Sequence, residues 1–179
     1  MHRPPRAEDF GQGVAFPSYQ FRCPQGDYFN SNLMNHLFVI ADMSRNDNRV
    51  LVYDERCMGK DCDALCSLRL KFHMESMEQR YLNNLHLPEV FISVRDNCVG
   101  QNKSNATIQF DCFLSMSFYK RVLILYLIPG HSHMITDRVV AWEKGGLKHK
   151  DIFVPEEMIN AMDKVSGRST SITKVGGES

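Results

Sequence analysis

The sequence has no excess of charge of either sign and no long apolar run. Lys plus Arg and Asp plus Glu each number 21, so the formal net charge is zero. A neutral chain argues against nucleic-acid binding through bulk charge alone, so any contact with DNA has to be local. No uninterrupted stretch of about 18 apolar residues exists, which argues against a membrane-spanning helix. The longest apolar run, Val122 to Pro129, has the length of a strand.

Cysteine pairs of the CxxC type are also missing, and no secretory leader is expected. The six cysteines stand at positions 23, 57, 62, 66, 98 and 112. The first residues, Met-His-Arg-Pro-Pro-Arg, lack the apolar segment of a signal peptide. We therefore expect an intracellular protein with free thiols. With 179 residues, 43% of them hydrophobic, the chain fits one domain with an ordinary core.

Apolar periodicity predicts a strand hairpin followed by strands that alternate with helices. The predicted strands cover 34–41, 49–53, 89–94 and 121–128. The predicted helices cover 61–79, 106–117, 137–147 and 155–165. This order is typical of an α/β domain with a mixed sheet. The domain would span 33–165, between an irregular arm at 1–32, with a remnant of a first strand, and a disordered tail at 166–179.

Two aspartates stand just after predicted strands. Asp96 follows strand 89–94 almost directly, and Asp137 follows strand 121–128 after a loop. If these strands are parallel neighbours, both carboxylates lie at the same edge of the sheet, where α/β proteins bind ligands. With a third carboxylate they could hold one or two Mg²⁺ ions, which catalyse phosphodiester cleavage. The alternative is that each aspartate is an ordinary loop or helix-capping residue.

Two motifs of this chain resemble those of a known family. Asp96–Asn105 has the sequence D-N-C-V-G-Q-N-K-S-N, and Gly130–Asp137 has the sequence G-H-S-H-M-I-T-D. They are similar to the D-N-C-x-G-Q-N-K-N and G-H-[ST]-x4-D motifs of an uncharacterised family of transposon-derived animal proteins. The resemblance extends from about Glu8 to Val165. It implies an RNase H-like, DDE-transposase-type domain with helices on both sheet faces, which cleaves or transfers DNA strands with Mg²⁺ or Mn²⁺ in the nucleus.

The resemblance implies three catalytic aspartates that bind metal. The identity of the first of them is left open between two residues. An RNase H-like core has three strands before its first helix, and the first strand holds the leading acidic residue. Asp9 is preferred because Asp9-Phe10-Gly11-Gln12 is similar to the family segment D-[FY]-x-Q. Asp42, at the end of the first clear strand, is the alternative. We therefore assign the metal ligands to Asp9, Asp96 and Asp137.

The chain departs from the family pattern at its N-terminus. Family members have an apolar strand before the first aspartate, whereas this chain has Pro4 and Pro5. Proline cannot donate to a sheet ladder, so we expect the first strand to be truncated. The chain could then be a fragment or a decayed copy. The alternative function is a non-catalytic, transposase-derived module that binds nucleic acid or a protein.

Other polar residues near the second motif are further candidates. His131 is assigned a catalytic role, in which it would orient a water or a phosphate near Asp137. Glu143, on the same predicted helix, is a possible substitute for Asp137. A small basic patch follows and could contact phosphates or be a solvated helix face; it comprises Lys144, Lys148, His149 and Lys150.

Overall fold

The computed structural model describes residues 5–27, 29–43, 47–86, 88–128, 134–167 and 169–176. These residues form six strands and five helices. The strands are β1 (Arg6–Phe16), β2 (Leu33–Asp42), β3 (Asn48–Asp54), β4 (Val90–Arg95), β5 (Arg121–Tyr126) and β6 (Thr170–Lys174). The helices are α1 (Cys62–Leu82), α2 (Val99–Asn102), α3 (Asn105–Ser117), α4 (Ile135–Gly145) and α5 (Pro155–Asp163).

The strands form one mixed sheet in the order β5-β4-β1-β2-β3-β6. β2 and β3 form the expected antiparallel hairpin, with Leu37 opposite Val52. β4 is parallel to both of its neighbours, β1 and β5, and β6 is parallel to β3. The prediction of an α/β domain with a mixed sheet is therefore confirmed.

The first of two compact units comprises residues 1–8, 42–45 and 60–133. It holds the start of β1 together with α1, β4, α2, α3 and β5. Asp61 caps α1 by accepting a hydrogen bond of 2.9 Å from the backbone N–H of Ala64. Ser104 caps α3 in the same way. The apolar core of this unit is built around buried aromatic and aliphatic side chains, namely Phe91, Leu114 and Tyr119.

The second unit comprises residues 9–41, 46–59 and 134–179. It holds the rest of β1 together with β2, β3, β6, α4 and α5. Alternate residues of β2 and β3 point to one face, where they pack against α4 and α5. Pro155 begins α5, followed by Glu156 and Glu157 in the first turn, as expected from the sequence. The core of this unit includes Leu37, Val39, Val50, Val52, Val139, Met158 and Met162.

The predictions for both ends of the chain need correction. Within the arm predicted as irregular, β1 is a strand of eleven residues that begins directly after Pro5, so the prolines precede the ladder and do not interrupt it. The tail predicted to be disordered contains β6, in which Ile172 lies opposite Val50 of β3. The Ser and Thr content of the tail suggested disorder, but β-branched Thr and Ile also favour strands when a sheet edge is available.

The helices of the described residues differ from membrane spans in their length or their charge. The longest, α1, has 21 residues and includes several charged side chains. None of the helices in the described ranges is long and apolar enough to cross a membrane.

Candidate functional site

A buried carboxylate near the start of β1 is the centre of a charged cluster in the first unit. Glu8 is 1% exposed. Its Oε2 accepts a hydrogen bond of 2.7 Å from Nε of Arg69 on α1, and its Oε1 accepts one of 3.0 Å from Oγ of Ser93 on β4. The parallel pairing of Glu8 with Arg95 brings a second guanidinium close, with Nε of Arg95 at 3.6 Å from Oε2. Glu8 is therefore held between two cations inside the domain.

The second cation of the cluster has its own carboxylate partner. Arg95, which ends β4, is fully buried. Its two terminal nitrogens donate to the two carboxylate oxygens of Asp111 on α3, at 2.7 and 2.8 Å. This two-point geometry is the strongest arrangement available to an arginine and a carboxylate. Two arginines and two acids balance their charges, which is the condition for keeping such groups out of water.

The two arginines determine the charge state of Glu8. Burial alone would raise the pKa of this carboxyl, because the charged form loses its hydration. The positive charges of Arg69 and Arg95 outweigh the effect of burial, so the pKa of Glu8 lies below its ordinary value. The Ser93 hydroxyl acts in the same direction, since it donates to the ionised form. Glu8 is thus ionised at neutral pH despite its burial.

Asp96 lies next to this cluster and is linked to it by one side chain. It follows β4 directly and is partly buried. Its Oδ1 accepts hydrogen bonds from the backbone N–H of Cys98, at 3.3 Å, and from the side-chain amide of Asn102. The carbonyl oxygen of the same Asn102 amide accepts a hydrogen bond of 2.8 Å from Nη2 of Arg69. A continuous hydrogen-bonded chain therefore runs from Asp96 through Asn102 and Arg69 to Glu8.

The other two aspartates assigned from the sequence belong to the second unit. Asp9 is a partly buried residue of β1, and its Oδ1 accepts a hydrogen bond of 2.7 Å from the backbone N–H of Phe10. Asp137 is exposed in the first turn of α4, where its Oδ2 accepts a hydrogen bond of 2.9 Å from the backbone N–H of Met134. Asp137 thus caps its own helix. His131 lies outside the described residues.

The alternative to Asp9 has a clear structural role. Asp42, at the end of β2, is 1% exposed and forms an ion pair of 3.8 Å with Arg6. Glu143, the possible substitute for Asp137, is 2% exposed and accepts a hydrogen bond of 2.8 Å from Oγ of Ser166. Burial raises the pKa of Glu143, more than this hydrogen bond lowers it. Both acids are buried and already bonded to neighbouring side chains.

The described part of the chain contains no preformed metal centre. Across those residues, no group of three or more His, Cys, Asp or Glu side chains is placed to hold a metal ion.

Two lysines of the basic patch donate hydrogen bonds to backbone carbonyl groups of the same chain. Nζ of Lys144 donates to the backbone carbonyl of Gly13 at 3.2 Å, and Nζ of Lys150 donates to that of Gly146 at 2.8 Å.

The sequence pointed to Asp96 but not to the cluster beside it. A signal was available, because Arg69 falls among the apolar positions of the predicted helix at spacings of three and four, where a charged side chain requires a buried partner. Arg95 likewise ends an apolar strand. The partners, Glu8 and Asp111, are distant in sequence from these arginines, so no local pattern identifies them.

Comparison with known protein families places the chain in one of them. Residues 31–177 match a family described as a domain of unknown function, DUF7869. The chain belongs to the DUF7869 family. The matched range of the DUF7869 domain contains Asp96, Asn102 and Asp137, whereas Glu8 and Asp9 precede it. No curated protein and no solved structure matches the chain.

Proposed function

We propose that this DUF7869 domain is an RNase H-like domain of the transposase type that acts on DNA phosphodiesters. The observation that supports it best is the sheet. Three strands, β1, β2 and β3, precede the first helix, as an RNase H-like core requires, and β1 lies between β2 and β4 in the sheet order. Sequence patterns alone gave only two of these strands. The third, β1, contains Asp9, which is the position expected for the leading acidic residue.

The three aspartates occur at chain positions that suit this function. Asp9 is in the first strand, Asp96 directly follows β4, and Asp137 is in the first turn of the helix after β5. His131 keeps its proposed role of orienting a water or a phosphate.

Mg²⁺ or Mn²⁺ is the proposed cofactor. The chemistry of the three carboxylates supports this proposal better than their positions do. Carboxylate oxygens are the ligands that these hard cations prefer. The described residues, however, provide no group of three ligands, and Asp96 and Asp137 each accept hydrogen bonds from their own segments. Cation binding would require part of these hydrogen bonds to be exchanged for metal contacts.

DNA is the proposed partner, and a nuclear location follows from the same proposal. With zero net charge, the domain would need local phosphate contacts and not a general positive surface. Lys148, which is exposed, lies in the basic patch just after α4, the helix that contains Asp137. Replacing Lys148 by Ala is expected to weaken DNA binding without reducing cation binding.

The test is a calorimetric titration of the full chain with Mn²⁺. Wild type is compared with the Asp9→Asn, Asp96→Asn and Asp137→Asn variants, and the exposed Asp63→Asn on α1 serves as a matched control. The proposal expects wild type and Asp63→Asn to bind, and each of the other three variants to lose binding. A folded wild type that binds no Mn²⁺ at millimolar concentration would overturn the proposed activity.

A non-catalytic module is the second candidate. It is favoured by the capping and ion-pair roles of the acidic residues, since Asp137 caps α4 and Asp42 pairs with Arg6. Such a domain would keep the fold and bind nucleic acid or a protein without cleaving DNA. It expects no Mn²⁺ binding together with a normal unfolding transition, so the same titration separates the two candidates.

A further inference from the structure

Asn102 is the side chain through which the buried cluster reaches Asp96. It ends α2 and is 4% exposed. Its amide nitrogen donates to Oδ1 of Asp96, and its amide oxygen accepts from Nη2 of Arg69 at 2.8 Å. Arg69 in turn donates a hydrogen bond of 2.7 Å from Nε to Oε2 of Glu8. Asn102 is therefore bonded on one side to an anchored guanidinium and on the other side to a candidate catalytic carboxylate.

The arginine decides which way the Asn102 amide faces. A guanidinium has donors only, so it accepts no hydrogen bond from the amide nitrogen. The amide oxygen must then face Arg69, and the NH₂ group must face Asp96. Because Glu8 and Arg69 are each 1% exposed, water does not compete readily for either group. The donor that points at Asp96 is thus set by contacts of the buried cluster.

The two oxygens of Asp96 have different surroundings. Oδ1 accepts both hydrogen bonds, one from Asn102 and one from the backbone N–H of Cys98. Among the residues that the structure describes, Oδ2 of Asp96 has no hydrogen-bond or ion-pair partner. One oxygen is held by two hydrogen bonds, and the other is bonded to none of the described residues. This is the arrangement that outer contacts of metal-binding carboxylates provide.

We propose that Asn102 is a positioning residue that holds the Asp96 carboxylate in one orientation, with Oδ2 available to a cation or a substrate group. The ligand part of this inference rests on the proposed function, whereas the positioning part does not. Arg69 and Glu8 act behind Asn102 by fixing its amide. The inference gives the second asparagine of the D-N-C-x-G-Q-N-K segment a role that its neighbour Gln101 lacks.

A purely structural role for Asn102 would be to shape its loop, but other bonds already do that. The hydroxyl of Tyr126 donates to the backbone carbonyl of Asn102 at 2.9 Å. The Ser104 and Thr107 hydroxyls both bond to the carbonyl of Gln101. The loop is therefore held through backbone groups, and the Asn102 amide is directed at side chains.

The test uses Asn102→Asp, which keeps an oxygen acceptor toward Arg69 and removes the donor toward Asp96. Gln101→Ala is the matched control, since Gln101 lies on the same helix and its amide bonds to the carbonyl of Lys60 instead. The first measurement is the pair of Hα–Hβ couplings of Asp96 by NMR. Unequal couplings in wild type and Gln101→Ala, with averaged couplings in Asn102→Asp, support the inference. Unchanged couplings in Asn102→Asp overturn it.

A second measurement covers the case in which Asn102→Asp does not fold. The side-chain amide resonances of Asn102 are compared between wild type and Asp96→Ala, which alters only a partly buried loop residue. A clear shift of these resonances, absent in Gln101→Ala, supports the contact between the two side chains. Identical resonances in wild type and Asp96→Ala overturn it.

Mn²⁺ affinity then separates this inference from the proposed function. Loss of an outer contact to a ligand weakens metal binding by about 10-fold to 100-fold. This loss is expected for Asn102→Ala, which removes the donor without adding a charge beside Asp96, but not for Gln101→Ala. Equal Mn²⁺ affinity of wild type and Asn102→Ala would overturn the ligand part of the inference. If wild type binds no Mn²⁺ while the Asp96 couplings respond to Asn102→Asp, the proposed cleavage activity fails and the positioning role stands.

Discussion

Oε2 of Glu8 and Nε of Arg69 lie 2.7 Å apart, and both side chains are 1% exposed. An ion pair at this depth adds less stability than its short distance suggests, because both charges have lost their hydration. Removing one partner is a different matter, since it leaves the other charge buried and unpaired. Glu8 is opposed by Arg69 and Arg95 together, so its removal leaves an excess of positive charge in the first unit.

Glu8→Gln is therefore expected to reduce the free energy of unfolding at neutral pH by about 3 to 5 kcal/mol. The pKa of Glu8 is below its ordinary value of 4.5 in the folded state, so the carboxylate stabilises the fold above pH 4.5. That contribution is lost as the pH falls below 4.5 toward the folded-state pKa. The difference between wild type and Glu8→Gln should shrink over the same range, as measured by urea unfolding at several pH values.

The control for Glu8 is Glu78→Gln, at an exposed position of α1. It should leave the free energy of unfolding nearly unchanged at all pH values. A Glu8→Gln variant that matched wild type at neutral pH would show that the negative charge of Glu8 contributes nothing to stability.

Glu143 is expected to respond to pH in the opposite direction. Burial raises the pKa of this carboxyl above 4.5, so the folded state holds its proton more tightly than the unfolded state does. Stability falls as the pH rises from 4.5 through the folded-state pKa, because a charge then forms at a buried position. Glu143→Gln removes this loss and keeps an oxygen acceptor for Ser166. It should therefore unfold at higher urea concentration than wild type at neutral pH, and this advantage should vanish below pH 4.5.

Local patterns in the sequence predicted most of the elements and little of the site. The apolar run that became β5 and the periodic apolar positions of α1 are strong local signals, and both were placed to within a few residues. The surroundings of the Asp96 carboxylate depend instead on its contact with Asn102 and, through Asn102, on Arg69. The hydrogen bond between Arg69 and Glu8 joins residues that are 61 positions apart in the chain. No periodicity in the sequence predicts such a pairing.

The terminal strands were missed for a different reason. β1 includes polar residues and two glycines, and β6 is rich in Ser and Thr, so neither shows a clear apolar pattern. Both exist because neighbouring strands supply hydrogen-bond partners, as in the pairs of β1 with β4 and of β6 with β3. Tertiary pairing overrides weak local propensity at such positions. The resemblance to a family predicted a remnant of a first strand near the N-terminus, where β1 lies, and composition did not.

Two adjacent glycines at the end of α4 are expected to differ in their response to alanine. A Cβ at Gly145 would have no atom within 4 Å, whereas one at Gly146 would lie 2.6 Å from the carbonyl oxygen of Ala161. Gly145→Ala should raise the free energy of unfolding by about 0.5 to 1 kcal/mol, because it removes backbone freedom from the unfolded chain. Gly146→Ala should lower it by about 1 to 3 kcal/mol through the close contact.

Thermal or urea unfolding of these two variants is a direct test of how α4 packs against α5. Each variant serves as the control for the other, since both add one methyl group to the same helix end. Equal effects of Gly145→Ala and Gly146→Ala would contradict the close approach of Gly146 to Ala161.

Asp137 combines a structural contact with a proposed catalytic role, and two substitutions can separate them. Its Oδ2 accepts a hydrogen bond of 2.9 Å from the backbone N–H of Met134 and thereby caps α4. Asp137→Asn keeps an oxygen acceptor for this bond but removes the negative charge, whereas Asp137→Ala removes both. We expect Asp137→Ala to lower the free energy of unfolding by about 0.3 to 1 kcal/mol, and Asp137→Asn to lower it less.

The Mn²⁺ affinity of the same two variants should not follow their stability. If Asp137 is a ligand, Asn is a poor replacement because a neutral amide attracts a divalent cation much less than a carboxylate does. Both variants should then lose Mn²⁺ binding to a similar degree while differing in unfolding free energy. If Asp137→Asn instead binds Mn²⁺ as wild type does, Asp137 is only a helix cap, and the third ligand must be sought elsewhere. Buried Glu143 would be the next residue to replace, because it lies on the same helix.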